Sequence, residues 1–293
     1  MNIAIHHRAP WRDGWVEYSD QPHAGDTGGL VLVLVHGLGG SREHFAALME
    51  QWTSSRVIAL DLPGFGTSTP IRGAVTINDL VDSVNAVLDH AQVGEVLFVG
   101  HSMGGPIGLR YAAADAGRVH GVVLLCGTVQ NFTATLGGRL RPWRVAPMTA
   151  FTTVIELISV ATRLPQALTK VLAKSRLGRA LTLWPFVQFP ATLDPDTALM
   201  LMSGAGAPGA LPTARALGRL GAWDDIDASA FPPLYAINGA ADRIAPRVDL
   251  ESFGPRLADQ HVLDTGHMAM LEDTGGLTAA LSKIYSELKT SHG

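Results

Sequence analysis

Short runs of almost purely apolar residues recur along the first half of the chain, and each ends in a cluster of turn-forming residues. An apolar run of this length, bounded by turn residues, predicts a strand that is buried on both faces. Amphipathic stretches lie between the runs. One of them, which Thr76 caps and which extends to about His90, places its apolar residues on one helical face. The predicted strands of this half are Leu30–Val35, Val57–Leu60, Val96–Val99 and Val119–Leu125.

The two ends of the chain complete this alternation. Residues 3–20 surround Asp13-Gly14 and predict an N-terminal hairpin, and Ser41 is expected to cap a helix over residues 42–52. Near the C-terminus we expect strands at Pro233–Ile237 and Gln260–Leu263 and helices at Pro246–Leu257 and 275–289. Strands that alternate with helices predict an α/β protein with a mostly parallel, eight-stranded sheet that helices cover on both faces.

Residues 129–222 break this rhythm, since they contain no run typical of a buried strand. They are expected to form helices at Pro147–Arg163, Pro165–Leu177 and Pro195–Met202, with a flexible loop at Ser203–Gly209. The predicted organisation is therefore a core made of residues 1–128 and 223–293, into which a helical cap (lid) of residues 129–222 is inserted.

Charge is distributed unevenly between these two parts. The whole chain of 293 residues has a net charge of −4, which argues against general nucleic-acid binding. The cap, however, carries ten lysines and arginines against three acids, a net charge of +7. A solvated charged face is one interpretation of this surplus. The others are contact with an anionic part of the substrate, with an acyl carrier or with an anionic membrane surface.

Cysteine use and hydropathy limit the classes of protein further. Cys126 is the only cysteine, so there is no disulfide framework and no cysteine-based metal site, and we expect neither a metal nor a cofactor. The most apolar long stretch, Met148–Ala161, contains Glu156 and is too short to cross a bilayer. With no apolar leader at the N-terminus either, we expect a cytoplasmic protein without a transmembrane segment.

Three glycine-rich loops follow predicted strands: His36–Gly40, Asp61–Ser68 and Gly100–Gly105. The carboxyl ends of parallel strands meet at one edge of a sheet, which is where ligands bind in this class. The third loop places Ser102 in a G-x-S-x-G turn between a strand and a helix, the context of a nucleophile elbow with a positive φ at the serine. The G-x-S-x-G spacing alone would occur by chance in about one chain in six of this composition. The assignment therefore depends on the strand and helix that flank the motif and on the acid and base found elsewhere in the chain.

A serine hydroxyl needs a nearby base, and the base needs an acid that orients it. His267 follows the last predicted strand and Asp242 follows the strand before it, which gives the order Ser, Asp, His after the elbow. Other carboxylates lie in this half of the chain. Asp224 and Asp225 precede their strand, whereas Asp264 stands close to His267.

Together these loops resemble the alpha/beta-hydrolase fold family over nearly the whole chain. The residues that carry the resemblance are His36-Gly37, Asp61–Ser68, Gly100–Gly105, Asn238–Pro246 and Gly266-His267 with Glu272. It implies a catalytic triad in which Ser102 is the nucleophile, His267 the base and Asp242 the orienting carboxylate. It also implies an oxyanion hole formed by the backbone N–H groups of Leu38 and Met103.

The resemblance suggests roles for other polar residues of these loops. His36 and His101 are expected to hold loops by hydrogen bonds, Asp61 to fix its own loop, and Glu272 to cap the last helix or the turn before it.

The serine at the elbow argues against relatives that use aspartate there, namely haloalkane dehalogenases and epoxide hydrolases. The motif resembles small carboxylesterases, monoglyceride-lipase-like enzymes and cofactor-free haloperoxidases. A serine hydrolase that cleaves a carboxylic ester, thioester or lactone of a small hydrophobic substrate is therefore expected. A carbon–carbon bond hydrolase stays open, although such enzymes usually carry Asn where His101 stands. A cyclase, a lyase or a ligand-binding receptor on the same fold also stays open.

The cap should select the substrate. Its apolar residues could form an acyl pocket or could simply pack the cap onto the core. The candidates for the pocket are Met148, Phe151, Ile155, Trp184 and Phe186, with Phe189 beside them.

Overall fold

The computed structural model describes residues 4–23, 29–127, 130–220, 231–245 and 256–292. Eight strands form one sheet in the order β1-β2-β4-β3-β5-β6-β7-β8. β2 pairs antiparallel with β1 and with β4, and the other pairs are parallel. The mostly parallel eight-stranded sheet is thus confirmed. The strands are β1 (Ile5–Trp11), β2 (Gly14–Gln21), β3 (Val31–Val35), β4 (Val57–Leu60), β5 (Val96–His101), β6 (Val119–Leu125), β7 (Leu234–Gly239) and β8 (Leu257–Leu263).

Twelve α-helices lie within the described residues, and none of those helices is both long and apolar enough to cross a bilayer. The helices are α1 (Ala46–Gln51), α2 (Ile77–His90), α3 (Gly104–Ala114), α4 (Asn131–Leu136), α5 (Arg141–Val145), α6 (Pro147–Ala161), α7 (Gln166–Lys174), α8 (Arg176–Leu183), α9 (Pro195–Ser203), α10 (Ala210–Gly218), α11 (Ala269–Glu272) and α12 (Thr274–His292).

Both faces of the sheet are covered. Side chains alternate between the faces along a strand, so β3 contributes to two separate apolar cores. Leu32 and Leu34 lie in the core beneath α1 and α12, whereas Val33 and Val35 lie in the core beneath α2 and α3. This arrangement explains why the central strands are apolar without alternation.

The two predicted helix starts have different outcomes. Thr76 caps α2 as expected, and Thr76 and Asp79 form a reciprocal capping box. The expectation for Ser41 is wrong, because its side chain makes no capping hydrogen bond and a 3-10 turn over Arg42–Phe45 precedes α1. The side chain of Asp61 instead accepts a hydrogen bond from the Arg42 amide at 2.7 Å, so a neighbouring loop takes the place of a local cap.

The described part of the cap, residues 130–220, is entirely helical apart from its connections. The helix predicted from Pro147 is α6 and the one from Pro195 is α9. A single helix over Pro165–Leu177 is wrong, because the chain breaks at Ser175, whose side chain accepts a hydrogen bond from Gly178 and caps α8. The cap boundaries, the helix predicted from Pro246, and Asp224 and Asp225 lie outside the described residues.

The loop Ser203–Gly209 is packed rather than free. The Gly206 amide donates to the Val160 carbonyl at 2.7 Å, and the Gly209 amide donates to the Gly64 carbonyl at 2.9 Å. Gly204 lies against Gly39, where a Cβ would overlap the Gly39 carbonyl oxygen. The prediction of a flexible loop is wrong. The absence of side chains at these glycines allows the backbone of the loop to pack closely against the backbone of neighbouring segments. The loop thereby joins the cap to the loops after β3 and β4.

The substitution Gly204→Ala tests this contact. The added methyl group must displace backbone of the Gly39 loop, so we expect a loss of about 1–3 kcal/mol in the free energy of unfolding, measured by urea denaturation. Gly117→Ala is the matched control, because a Cβ there has no heavy atom closer than 4.0 Å. The control should stay within about 0.5 kcal/mol of the parent. Equal stability of the two variants would contradict the packed arrangement.

Candidate active site

The turn after β5 holds Ser102 in a strained conformation. Its φ is 52°, a left-handed value that costs a non-glycine residue roughly 1–2 kcal/mol. The turn is possible because Gly100 and Gly104 lack side chains: a Cβ on Gly100 would overlap the Gly104 carbonyl, and one on Gly104 would lie 2.5 Å from the Val35 carbonyl oxygen. Ser102 therefore lies where β5 meets the N-terminus of α3.

Asp242 and His267 meet at the same edge of the sheet. His267 Nδ1 donates to Asp242 Oδ2 at 2.9 Å, and the other carboxylate oxygen accepts from the amides of Ile244 and Ala245 at 2.8 and 2.9 Å. Three hydrogen bonds thus fix this carboxylate. Because Nδ1 carries the proton, Nε2 of neutral His267 is left with a lone pair and can act as a base.

The pair is almost completely buried. Burial by itself lowers the pKa of His267, but the charge of Asp242 and the hydrogen bond to it outweigh burial, so the pKa of His267 is raised above its ordinary value. Asp264 takes no part, since its carboxylate accepts a hydrogen bond from the Gln188 side chain. Of the described carboxylates, Asp242 is the one that orients His267.

Ser102 Oγ and His267 Nε2 are both buried, and neither has a hydrogen-bond partner among the described residues. Both residues line the same cavity. Catalytic hydrogen bonds are often long in the free state and tighten only when substrate binds. Both atoms are therefore available to a ligand in this cavity.

Two backbone amides flank the serine without an acceptor. Within the part of the chain that the structure describes, the N–H groups of Leu38 and Met103 donate to no protein atom. His36 supports the loop that carries Leu38: its Nε2 accepts from the Leu62 amide at 3.0 Å and its Nδ1 donates to the Gly37 carbonyl at 2.8 Å. Burial lowers the pKa of His36, which keeps the ring neutral, as these two bonds require.

Other polar residues of the loops have structural roles. His101 Nε2 donates to the His267 carbonyl at 3.0 Å, and burial keeps the pKa of His101 well below its usual value. Asp61 accepts hydrogen bonds from Arg42 and Thr67, which fixes the loop after β4. These contacts agree with the roles expected for His101 and Asp61.

His44 also lines the cavity, and the sequence did not indicate it. It lies in the 3-10 turn before α1, and burial lowers its pKa to about 3, so it is a neutral wall of the cavity. Its spacing from Ser102 in the sequence carries no signal of this contact.

The cap is bonded directly to the loops of the acid and the base. The Phe186 carbonyl accepts from the His267 amide at 2.8 Å and from the Met268 amide at 3.2 Å. Arg243, beside the acid, donates to the Trp184 carbonyl at 2.8 Å. The acceptors on the cap are backbone carbonyls, so no side-chain motif in the sequence could predict these hydrogen bonds.

Glu272 adds a further tie between the two parts. Its carboxylate accepts from the Gly266 amide at 3.1 Å and from the Gln188 amide of the cap at 2.8 Å. Glu272 therefore holds the turn before the last helices, one of its expected roles, and binds that turn to the cap as well.

A cavity of about 340 Å³ lies between the cap and Ser102. Ile155, Trp184 and Phe186 line it, whereas the expectation for Met148 and Phe151 is wrong. The side chains of Met148 and Phe151 are about half exposed, and Phe189 is more exposed than either. The reason is the orientation of α6, whose buried residues are mostly polar. They are Thr149, Thr152, Thr153 and Glu156, together with Ala150 and Val160.

Cys126 lies beside the pair, and single ligand atoms of Cys126, Asp242 and His267 fall within 4.8 Å of one another. A metal site would need a thiolate and a free imidazole nitrogen. Burial raises the pKa of the Cys126 thiol well above its usual value, and His267 Nδ1 already donates to Asp242. The donor set fits an acid–base pair better than a metal site.

A family model described as the alpha/beta hydrolase fold matches residues 31–274, a span that contains both the elbow and the acid–base pair. The chain belongs to the alpha/beta hydrolase family. Hydrolase relatives support a hydrolase rather than any one substrate. Phospholipase YtpA of Bacillus subtilis is 33% identical over 116 residues, 38% of this chain and 42% of that protein.

A second relative is the pimeloyl-[acyl-carrier protein] methyl ester esterase of Shewanella sp., which is 34% identical over 100 residues, 34% of this chain and 36% of that protein. The match to the dihydrolipoyllysine-residue acetyltransferase component of the acetoin cleaving system of Cupriavidus necator is longer. It is 26% identical over 271 residues, 87% of this chain and 63% of that protein. The matched part of this chain thus spans less than two thirds of the length of each of these relatives.

Solved structures share the fold at low identity. An esterase from Thermogutta terrifontis is 19% identical with a TM-score of 0.68, and the match covers 98% of this chain and 99% of that one. The enol-lactonase from Burkholderia xenovorans is 19% identical with a TM-score of 0.68, covering 96% and 100%. Likeness at this level shows the fold alone.

The substitution Asp242→Asn tests the buried pair. It removes the charge that raises the pKa of His267, so burial becomes the dominant influence. We expect the midpoint of the His267 titration, followed by NMR of the ring protons, to fall from above 6.5 to below it. A His267→Gln variant assigns the resonance, and Asp264→Asn is the matched control with an unchanged midpoint. An unchanged midpoint in Asp242→Asn would contradict the assignment.

Proposed function

We propose that this hydrolase cleaves a carboxylic ester, thioester or lactone of a small hydrophobic substrate through an acyl-enzyme on Ser102. The observation that carries the proposal is the pair of unpartnered atoms, Ser102 Oγ and His267 Nε2, in one cavity beside the fixed carboxylate of Asp242.

The steps follow from the positions of these groups. His267 Nε2 takes the hydroxyl proton of Ser102 as Oγ bonds to the carbonyl carbon, and the carbonyl oxygen becomes an oxyanion. The amides of Leu38 and Met103 would stabilise it, and loss of one such donor costs on the order of 10²–10³ in rate. The imidazolium then gives its proton to the leaving alcohol or thiol. Water, deprotonated by the same nitrogen, attacks the acyl-enzyme and releases the acid and free Ser102.

The surroundings of the base favour this proton transfer. Asp242 stabilises the imidazolium that forms, while His36, His44 and His101 stay neutral because burial lowers their pKa values. These three neighbouring histidines therefore carry no positive charge that would oppose the positive charge formed on His267. Asp242 supplies the balancing negative charge inside a buried site.

The substrate class is supported by the cavity and by the relatives. Ile155, Leu183, Trp184 and Phe186 give the cavity apolar walls, and 340 Å³ suits a small ligand. The relatives include a phospholipase and a methyl ester esterase, and a structural neighbour is an enol-lactonase. All three names refer to cleavage of an ester bond, open or cyclic.

The alternative functions remain separable by experiment. A meta-cleavage product hydrolase of Pseudomonas fluorescens shares the fold at 19% identity and a TM-score of 0.65, so the fold is compatible with carbon–carbon bond hydrolysis. A cyclase, a lyase or a ligand-binding receptor would keep the fold without ester turnover.

A substrate panel with Ser102→Ala tests the proposal. We expect the parent to hydrolyse short p-nitrophenyl esters, a thioester or a lactone, and the variant to lose on the order of 10⁶ in kcat because nucleophile and base act as a unit. Ser286→Ala on α12, remote in sequence and exposed, is the control with unchanged turnover. Near-native rates in Ser102→Ala would contradict the mechanism, and turnover of an aromatic diketone alone would favour the carbon–carbon hydrolase.

We further propose that the cap docks on an anionic lipid surface. The adjoining helices α5 and α6 expose large apolar side chains toward solvent, and the cap also exposes basic side chains. Exposed apolar groups together with cations on the same cap suit the interface of an anionic bilayer. The apolar group consists of Leu140, Trp143, Val145, Met148, Phe151, Val154 and Ile158. The exposed cations of the cap are Arg139, Arg141, Arg144, Arg163, Lys170, Lys174, Arg176, Arg215 and Arg219.

Sedimentation with vesicles tests the docking surface. We expect binding to phosphatidylglycerol vesicles that exceeds binding to phosphatidylcholine vesicles and weakens with added salt. The double variant Trp143→Ala with Phe151→Ala should bind less, whereas Ile5→Ala, exposed on the edge strand β1, should bind normally. Equal binding to both vesicles would contradict the proposal. Binding to an acyl carrier protein without vesicle binding would also contradict it.

A further inference from the structure

One acidic side chain of the cap faces the cavity of Ser102 without a role in the mechanism above. Glu156 lies on the inward face of α6, is 2% exposed and lines the cavity. Its Oε2 atom is buried and has no hydrogen-bond partner among the described residues. A buried carboxyl oxygen without a partner costs free energy, so an atom placed in this way points to a missing ligand group.

Two other polar side chains of this helix face have partners within the protein. Thr152 Oγ1 donates to the Arg243 carbonyl at 2.6 Å, and Thr153 Oγ1 donates to the Thr149 carbonyl at 2.7 Å. Glu156 therefore differs from these two neighbours. Thr152 joins α6 to the loop after β7, whereas Glu156 lines the cavity that a substrate would occupy.

No lysine or arginine among the described lining residues pairs with Glu156 in the cavity. The titratable groups among the described lining residues are Glu156 itself and the histidines His44, His101 and His267; no lysine or arginine is present there. Burial raises the pKa of Glu156 to about 7, while His267 lowers it and Asp242 raises it. The carboxyl thus exists in both protonation states near neutral pH, and it lies close enough to the acid–base pair to sense its charges.

These properties restrict the chemistry of the missing group. An ammonium group would pair only with the ionised carboxylate, and a carboxylate only with the protonated acid. A hydroxyl group both donates and accepts, so it forms a hydrogen bond with either state of the carboxyl. Several other side chains that line the cavity, such as Ile155, Leu183 and Trp184, are apolar and suit a carbon chain.

We propose that Glu156 is a specificity-determining residue that binds a hydroxyl group of the substrate, so that the preferred ester carries a free hydroxyl in the part that the cavity encloses. This inference rests on the proposed ester hydrolysis. A plain ester leaves Glu156 unpaired when it displaces water from the cavity, whereas a hydroxylated ester satisfies it. The expected preference is about 10- to 100-fold in kcat/KM, the usual effect of one hydrogen bond to an ionisable group.

The test compares esters that differ by one hydroxyl group. Ethyl butanoate is measured against ethyl 3-hydroxybutanoate, and propyl butanoate against 2-hydroxyethyl butanoate, with acid release followed by pH-stat. These pairs place the hydroxyl on the acyl side and on the alcohol side respectively. We expect the parent to prefer at least one hydroxylated ester about 10- to 100-fold over its partner.

Two variants assign the preference to the side chain. Glu156→Leu should remove it: kcat/KM of the hydroxylated ester should fall about 10- to 100-fold further than that of its plain partner, because the carboxyl that binds the hydroxyl group is gone. Glu156→Gln, which keeps a donor and an acceptor at nearly the same size, should retain most of the preference and shows that the position tolerates change. Cooperative thermal unfolding of both variants confirms that they fold.

The outcomes separate the two proposals. An unchanged preference in Glu156→Leu, or no preference in the parent, would overturn the specificity role. An equal loss on plain and hydroxylated esters in Glu156→Leu would also overturn it, since that pattern belongs to a positioning effect on His267. If the parent hydrolyses none of the four esters, no p-nitrophenyl ester, no thioester and no lactone, the proposed function fails instead.

Discussion

The hydrogen bond between His267 and Asp242 sets the state of the whole site, because it determines which nitrogen of His267 carries the proton. It lies in a buried region, where an unpaired charge would be costly. The two residues lie on separate loops after β7 and β8, so the bond forms only if both loops are held in place. Main-chain amides of Ile244 and Ala245 hold the acid, and the backbone of the base is held from outside the sheet.

That outside support comes from the cap. The Phe186 carbonyl binds the His267 amide, and the Trp184 carbonyl binds Arg243 beside the acid. On the other side of the cavity, Gly204 of the cap packs against Gly39 in the loop that carries the Leu38 amide. The cap therefore contacts the loops that carry His267, Asp242 and the Leu38 amide. The helix α6, which carries Glu156, is joined to the loop of Asp242 by the hydrogen bond from Thr152 to the Arg243 carbonyl.

The sheet and the elbow could be predicted because their signals are local. A buried parallel strand is an apolar run, and the turn at Ser102 needs glycine at position 100 because a Cβ there would overlap the Gly104 carbonyl of the same turn. The cap could not be predicted to the same depth. Phe151 is apolar yet faces solvent and Glu156 is charged yet faces inward, an inversion of the usual amphipathic rule that only tertiary packing reveals. Backbone acceptors such as the Phe186 carbonyl leave no trace in the residue pattern at all.

Covalent acylation of Ser102 can be examined by trapping the modified serine. The parent is incubated with a fluorophosphonate, which bonds to an activated serine, and digested for peptide mass spectrometry. We expect one phosphonyl group, on the peptide that contains Ser102, and strongly reduced labelling in the His267→Gln variant, because the base no longer activates the hydroxyl. Labelling of another serine, or full labelling of Ser102 without His267, would rule out Ser102 as a nucleophile that His267 activates.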